Sequence, residues 1–129
     1  MAVIKVAILE DHRGIIDSYE QRLGTDPGIE IVGTAAFGEA LEPLLRQHEV
    51  DVLLLDLELK CSAENNNPYP VLYTIPRLFE RHPNLKILVI SGHSRRTFVK
   101  AAMGAGAIGY ILKDDWGAFE NLATIVKLA

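Results

Sequence analysis

Five short runs rich in Val, Ile and Leu recur along the chain, at residues 3–9, 29–35, 51–55, 86–90 and 107–112. Each has the length and composition of a β-strand. The third and fourth are almost continuously apolar (Val52-Leu53-Leu54-Leu55 and Ile87-Leu88-Val89-Ile90), as strands covered on both faces of a parallel sheet must be. Between and after them the apolar positions change to helical spacing: Ile15, Ile16, Tyr19 and Leu23; Leu41, Leu44 and Leu45; Val71, Leu72, Ile75, Leu78 and Phe79; Phe98, Ala101, Ala102 and Ala105; Phe119, Leu122, Ala123 and Val126. The pattern predicts five helices alternating with five strands, an α/β domain with a doubly wound parallel sheet.

Local breakers sharpen this outline. Gly24 and the run Asp26-Pro27-Gly28 end the first helix, and His82-Pro83-Asn84 ends the third. Pro76 should kink the third helix or mark its first turn, and Pro43 raises the same question for the second. Residues 60–70, with Asn65-Asn66-Asn67 and two prolines, are too long and polar for a routine strand-to-helix connection. They follow the third strand, at the sheet edge where open α/β folds place their ligands.

The 129 residues suit one domain, residues 1–129, with a single core. With 49% hydrophobic and 23% charged residues the chain is too apolar to be disordered. Thirteen Lys and Arg against 17 Asp and Glu leave a net charge of −4, which argues against direct contact with nucleic acid by this domain. The lone Cys61 has no internal disulfide partner, and no run approaches the ~18 apolar residues of a membrane span. A cytoplasmic protein without membrane contact is expected.

The carboxyl ends of parallel strands share one edge, which gathers distant residues: Glu10-Asp11 after the first strand, Asp56 after the third, Ser91 after the fourth and Lys113 after the fifth. Carboxylates about 4 Å apart repel by roughly 4 kcal/mol per pair at an effective dielectric of 20, so three in one cleft call for a cation or altered protonation. Oxygen ligands alone suit Mg²⁺, with Mn²⁺ as the alternative, and such sites commonly join carboxylates to a phosphate. Asp56, anchored by the apolar strand before it, is the best candidate nucleophile for an acyl-phosphate, with Lys113 and Ser91 holding the phosphoryl oxygens.

These residues resemble the receiver domains of bacterial response regulators. The likeness is carried by Val6-Ala7-Ile8-Leu9-Glu10-Asp11-His12, Asp51-Val52-Leu53-Leu54-Leu55-Asp56-Leu57, Ile87-Leu88-Val89-Ile90-Ser91 and Gly104-Ala105-Gly106-Ala107-Ile108-Gly109-Tyr110-Ile111-Leu112-Lys113. It implies a flavodoxin-like sheet of strand order 2-1-3-4-5. It also implies that Asp56 accepts a phosphoryl group from a histidine kinase or phosphotransfer protein, and that Glu10, Asp11, Asp56 and the backbone carbonyl of Glu58 hold Mg²⁺. Ser91 and Tyr110 would form a switch pair that alters the face made by the fourth helix, fifth strand and fifth helix. Such a domain is a regulator, catalysing only its own phosphorylation and slow dephosphorylation, and acts on an output domain or partner, with homodimerisation on phosphorylation. The Gly-Tyr-Ile-Leu-Lys-Asp run resembles the branch whose receivers precede a DNA-binding helix-turn-helix and regulate transcription.

Two departures stand out. Asp114 follows Lys113 where the family usually has a proline, and the segment 60–70 replaces a shorter turn, with Lys60 where the first proline would stand. Glu58 and His93, each two residues past a strand-end site residue, are candidates to set the lifetime of the phosphoryl group.

Taken singly, these features have plainer explanations: Asp11 as a helix cap, Ser91 as a turn residue, Tyr110 as a core aromatic, Lys113 as a solvated surface charge and His12 as a helix-start residue. Their joint position at one sheet edge is what those explanations leave out. The Gly104–Gly109 spacing imitates a dinucleotide fingerprint, but the fingerprint needs a strand before it and a helix after it, and here the order is reversed. An aspartate-dependent phosphatase, suggested by Asp56-Leu57-Glu58, would need a cap domain or further acids after the lysine, and a receiver-like module that is never phosphorylated would lack an acid, the lysine or the hydroxyl.

Overall fold

The structure is a computed structural model and describes residues 2–129. Its elements are β1 (Ile4–Leu9), α1 (Arg13–Gly24), β2 (Ile29–Ala35), a 3₁₀ turn (Gly38–Ala40), α2 (Leu41–Gln47), β3 (Val52–Asp56), α3 (Val71–Arg81), β4 (Lys86–Ser91), α4 (Arg96–Ala105), β5 (Gly109–Leu112), α5 (Trp116–Glu120) and α6 (Leu122–Leu128). The five strands form one parallel sheet in the order β2-β1-β3-β4-β5. This is the doubly wound, flavodoxin-like arrangement that the alternating pattern and the resemblance predict.

The pleat explains why both faces are covered. Alternate strand residues Ala7, Leu9, Leu53, Leu55, Ile87 and Val89 pack under α2, α3 and α4, through Leu41, Leu44, Leu45, Ile75, Leu78 and Ala102. Their neighbours Val6, Ile8, Val52, Leu54, Leu88, Ile90 and Ile111 pack under α1, α5 and α6, through Tyr19, Leu23, Phe119, Leu122 and Val126. The continuous apolar runs of β3 and β4 are two interleaved period-2 stripes, one for each layer. Tyr19 and Phe119 stack at 5.7 Å between ring centroids and tie α1 to α5.

The helix count differs from expectation at the C-terminal end. The expected fifth helix is divided at Asn121, whose backbone leaves helical angles (φ −104°, ψ 17°) and whose side-chain amide donates to the Gly117 carbonyl at 2.9 Å. A polar side chain that competes for a backbone acceptor in this way favours a break, and six α-helices result. Pro43 falls in the first turn of α2, where no N–H is required, whereas Pro76 lies well inside α3 on its exposed side rather than in its first turn. Ala107 and Ile108 precede β5 instead of forming its start.

The segment 60–70 is not an irregular loop. Tyr69 N–H donates to the Leu59 carbonyl at 2.8 Å, Lys60 and Pro68 form an antiparallel bridge, and Cys61 N–H donates to the Asn67 carbonyl at 3.0 Å. A turn from Ser62 to Asn65 closes this small hairpin. Its outer side docks on the 3₁₀ turn: Gly38 N–H donates to the Lys60 carbonyl at 2.8 Å and Glu39 N–H to the Cys61 carbonyl at 3.0 Å. The Tyr69 ring lies so close over Gly38 that a Cβ there would fall 2.0 Å from it.

The glycines of the α4–β5 junction end a helix and open a strand, as their order in sequence predicts. Gly106 takes φ 119° and closes α4 with bonds to the Ala102 and Met103 carbonyls, and a Cβ on it would meet the Phe79 ring at 2.5 Å. Gly104, within α4, has open space around it. Gly106→Ala is therefore expected to lower stability by about 1–3 kcal/mol, and Gly104→Ala to raise it by roughly 0.5–1 kcal/mol. Urea unfolding of the two variants beside the parent checks both signs.

Candidate functional site

Among the described residues the buried polar or charged side chains are Glu10, Asp56 and Ser91, and all three stand at carboxyl ends of strands. Burying such groups costs free energy unless they are partnered. Asp56 closes β3, two residues beyond Leu54, so the pleat turns it to the α1 side of the sheet. Glu10 stands two residues beyond Ile8, and β1 runs beside β3 with Leu9 opposite Leu55. The register alone brings these two carboxyls together.

Lys113 supplies their partner. Its Nζ lies 2.9 Å from Glu10 Oε1 and 3.1 Å from Asp56 Oδ2. The Oε1 contact is an ion pair without hydrogen-bond alignment, so the better-aligned bond runs from Nζ to Oε2 at 3.3 Å. Lys113 N–H donates to the Ser91 carbonyl at 2.9 Å, which extends the β4–β5 ladder past the strand end and fixes where the side chain starts. Burial works to lower the lysine's pKa, but Glu10 and Asp56 outweigh it and hold the ammonium above its ordinary value. Glu10 is pushed up to about 8, first by burial and then by the neighbouring Asp56, with Lys113 pulling it only partly back. Tyr19, beneath the pair, is raised by burial and by the same two carboxylates.

One oxygen each from Glu10, Asp11 and Asp56 lies within 4.8 Å of the others. Asp11 is exposed and does not cap α1: the cap position is His12, which makes no side-chain cap bond. The donor set is all oxygen, mixes one exposed with two buried carboxylates, and includes a Glu10 oxygen lacking a hydrogen bond, so it fits a small hard divalent cation. Asp56 Oδ1 accepts the Glu58 N–H at 3.0 Å, which orients the carboxyl and brings the Glu58 backbone to the same corner.

Ser91 and Tyr110 belong to the other face of the sheet. Ser91 follows Val89 by two residues, and Tyr110 is opposite Val89 and packs on the α2–α3–α4 core. They meet through His93, whose N–H donates to Ser91 Oγ at 3.0 Å and whose carbonyl accepts the Tyr110 hydroxyl at 2.7 Å. The His93 ring lies 3.2 Å from Glu58 Oε1 and stacks on Phe98 at 4.6 Å. The eight candidate site residues singled out in the sequence, from Glu10 to Lys113, thus stand around one strand-end crevice and its rim.

Three features had no sequence signal of their own. Phe98 counted only as an apolar position of a helix, the Glu58–His93 contact joins residues thirty-five apart, and the hairpin contributes Asn66 and Pro68 to a cavity of about 520 Å³ shared with Asp11, Glu58 and His93. The Lys113–Asp114 peptide is trans, as is every peptide among the described residues. No helix of the described residues is long and apolar enough to cross a membrane.

The family model of the response regulator receiver domain matches residues 6–126. Among curated proteins, the nitrate/nitrite response regulator protein NarP of Escherichia coli is 32% identical over 111 residues, covering 86% of this chain and 48% of NarP. The transcriptional regulatory protein DegU of Brevibacillus brevis is 28% identical over 111 residues, covering 86% of this chain and 44% of DegU. The chain thus spans about half the length of the curated relatives it matches. Among solved structures, the signal receiver domain of the putative response regulator NarL from Mycobacterium tuberculosis superimposes with a TM-score of 0.81 at 22% identity, over 98% of each chain. The RcsB response regulator of Salmonella typhimurium superimposes with a TM-score of 0.82 at 21% identity, over 98% of this chain and 59% of RcsB. With a model match running from the middle of β1 into α6, and regulators of transcription among its relatives, the chain belongs to the response regulator receiver domain family of two-component signalling.

Proposed function

We propose that this chain is a receiver domain over residues 1–129 that acts in the cytoplasm as a phosphorylation-dependent switch, with Asp56 as the acceptor of a phosphoryl group. The observation that carries the reading is the lysine clamp: a buried carboxyl bonded by Lys113 and lying within 4.8 Å of two further carboxylates. The donor would be a histidine kinase or phosphotransfer protein. Glu10, Asp11, Asp56 and the Glu58 carbonyl would hold Mg²⁺, or Mn²⁺ in its place. When bound, the cation supplies positive charge that offsets the developing charge on the transferred oxygens.

The chain's own residues account for the remaining work. Lys113 and the Glu58 N–H fix the two oxygens of Asp56, so one presents a lone pair along a defined line, and positioning of this kind dominates phosphoryl transfer. Lys113 then neutralises charge on the phosphoryl oxygens, joined by the Ser91 hydroxyl. Ser91 Oγ accepts a bond from His93 N–H in the resting arrangement, so its turn toward a phosphoryl oxygen breaks that bond and frees the loop that holds the Tyr110 hydroxyl. The change reaches α4, β5 and the C-terminal helices, the face offered to an output domain, a partner or a second copy of the chain. By analogy with its relatives' names, the output is transcriptional, with any DNA contact made outside this acidic domain.

Phosphorylation itself is the first test. Acetyl phosphate or phosphoramidate with Mg²⁺ should add one phosphoryl group to the parent chain and none to Asp56→Asn; equal yields by intact mass would remove Asp56 from the role. Ser91→Ala should still be labelled while its amide exchange over residues 95–129 responds less than the parent's.

Glu58 is bonded to Asp56 through its N–H and its side chain touches His93, which supports their role in setting how long the phosphoryl group lasts. A barrier change of about 1.4 kcal/mol is tenfold in rate. Glu58→Ala and His93→Ala should each shift the dephosphorylation rate by roughly tenfold. Superimposable decay curves for the variants and the parent would exclude both side chains.

The raised pKa of Glu10 gives a metal-free test. Between its ordinary 4.5 and about 8 the unfolded chain ionises this carboxyl while the folded chain retains the proton. The contribution to stability is therefore complete below pH 4.5 and is lost as pH rises toward 8, by roughly a few kcal/mol. Lys113 holds its proton in both states across this window. Denaturation in chelator at pH 5.5 and 8.5 should show the fall, Glu10→Gln should flatten it, and Mg²⁺ should offset it at the higher pH.

A further inference from the structure

Residues 59–69 form a built wall beside the candidate phosphorylation site. The ladder between Leu59 and Tyr69 holds the base of this hairpin, the Ser62–Asn65 turn and the Asn65 side chain's bond from Asn67 N–H hold its tip, and two backbone bonds from Gly38 and Glu39 fasten its flank to the 3₁₀ turn. With three edges fastened, it is a fixed body rather than a connecting strand of chain. Asn66 and Pro68 line a cavity of about 520 Å³ together with Asp11, Glu58 and His93, and it adjoins Asp56 through Asp11 and Glu58, which are Asp56's own neighbours. Anything that carries a phosphoryl group to Asp56 through this cavity passes the hairpin.

We propose that the hairpin is a steric filter for protein-borne phosphoryl donors: it admits small phosphodonors freely and a phosphohistidine only from a protein whose surface is recessed opposite the tip. The inference rests on Asp56 being the phosphoacceptor. In the step concerned, the donor's P–N bond breaks as the P–O bond to Asp56 forms, and the electron pair stays on the imidazole nitrogen, which then takes up a proton. A donor imidazole must bring its phosphorus in line with an Asp56 oxygen, and the protein behind it arrives with it. The chemistry of the tip favours exclusion over docking. Residues 63–67 are exposed and consist of Ala, Glu and three Asn, without the aromatic or arginine anchors that give interfaces most of their affinity. A fixed tip with little to contribute to binding acts mainly by occupying space. It lowers the number of productive encounters for a flat-faced donor and leaves small molecules unaffected.

Cys61 N–H already donates to the Asn67 carbonyl, so these two residues can close a two-residue Asn-Gly turn that replaces residues 62–66. Two probes are used with Mg²⁺: phosphoramidate, and a phosphorylated histidine phosphotransfer domain from an unrelated relay. In the shortened variant, transfer from the phosphotransfer domain should rise roughly tenfold, and phosphoramidate labelling should stay within about twofold of the parent. Asn66→Trp, which adds bulk to the cavity wall without shortening the chain, should lower transfer from the protein donor and leave phosphoramidate labelling alone. Unchanged or slower protein transfer in the shortened variant, with phosphoramidate labelling intact, overturns the filter. If the shortened variant does not fold, Asn66→Trp decides, and a protein-transfer rate equal to the parent's overturns it. A parent chain that phosphoramidate fails to label at Asp56 instead removes the functional reading and this inference with it. In the parent, the amides of Gly38, Glu39, Cys61 and Tyr69 should be protected from exchange, and rapid exchange at all four would mean that the wall is not fixed.

Discussion

The ammonium of Lys113, 2.9 Å from Glu10 and 3.1 Å from Asp56, is the contact on which the arrangement of the strand ends depends. Two carboxyl groups that are 1% and 2% exposed stand side by side because the β1–β3 register leaves them no choice. Their mutual repulsion and lost hydration would oppose the fold without a cation between them. The cation comes from β5, which is separated from β3 by β4. At about 4.8 Å per strand this is a gap of roughly 10 Å, which suits a long, flexible side chain. The same contact pulls the pKa of Glu10 partly back from where burial and Asp56 push it, and keeps Asp56 oriented.

The pleat of the sheet divides the work. Glu10, Asp56 and Lys113 follow residues buried under α1, α5 and α6, whereas Ser91 and Tyr110 follow the stripe buried under α2, α3 and α4. Chemistry at the carboxyl cluster therefore lies on one side of the sheet edge and the groups linked to α4 lie on the other. His93 joins them, with its N–H on Ser91, its carbonyl on the Tyr110 hydroxyl and its ring between Glu58 and Phe98. A residue bonded through three of its groups in this way cannot shift without disturbing the end of β4, Tyr110 of β5 and the start of α4 together.

The hairpin shows how a fold common to many proteins can be made particular. Its bonds are local or directed to the 3₁₀ turn, and none of its residues contributes to the two core clusters except through Leu59 and Tyr69 at its base. The core thus tolerates the added length, and the tip can vary without repacking the sheet. What changes is the outline of the cavity lined by Asp11, Glu58 and His93.

Much of this protein was legible in the chain itself. Strands and helices announce themselves through period-2 and period-3.6 apolar spacing, and parallel topology then places every strand-end residue at one edge, so Glu10, Asp11, Asp56, Ser91 and Lys113 could be grouped before any coordinate was known. Those inferences use short-range periodicity, which a sequence displays directly. The break at Asn121 is local, a side-chain bond to the Gly117 carbonyl that apolar spacing does not register, whereas the docking of residues 60–70 on the 3₁₀ turn and the His93 contacts to Glu58 and Tyr110 depend on distances between segments far apart in the chain. The raised pKa of Glu10 depends on the depth of its burial as well as on its neighbours. Only tertiary packing sets such distances and depths, because they follow from strand register and helix docking and not from the identity of the residue or of those beside it.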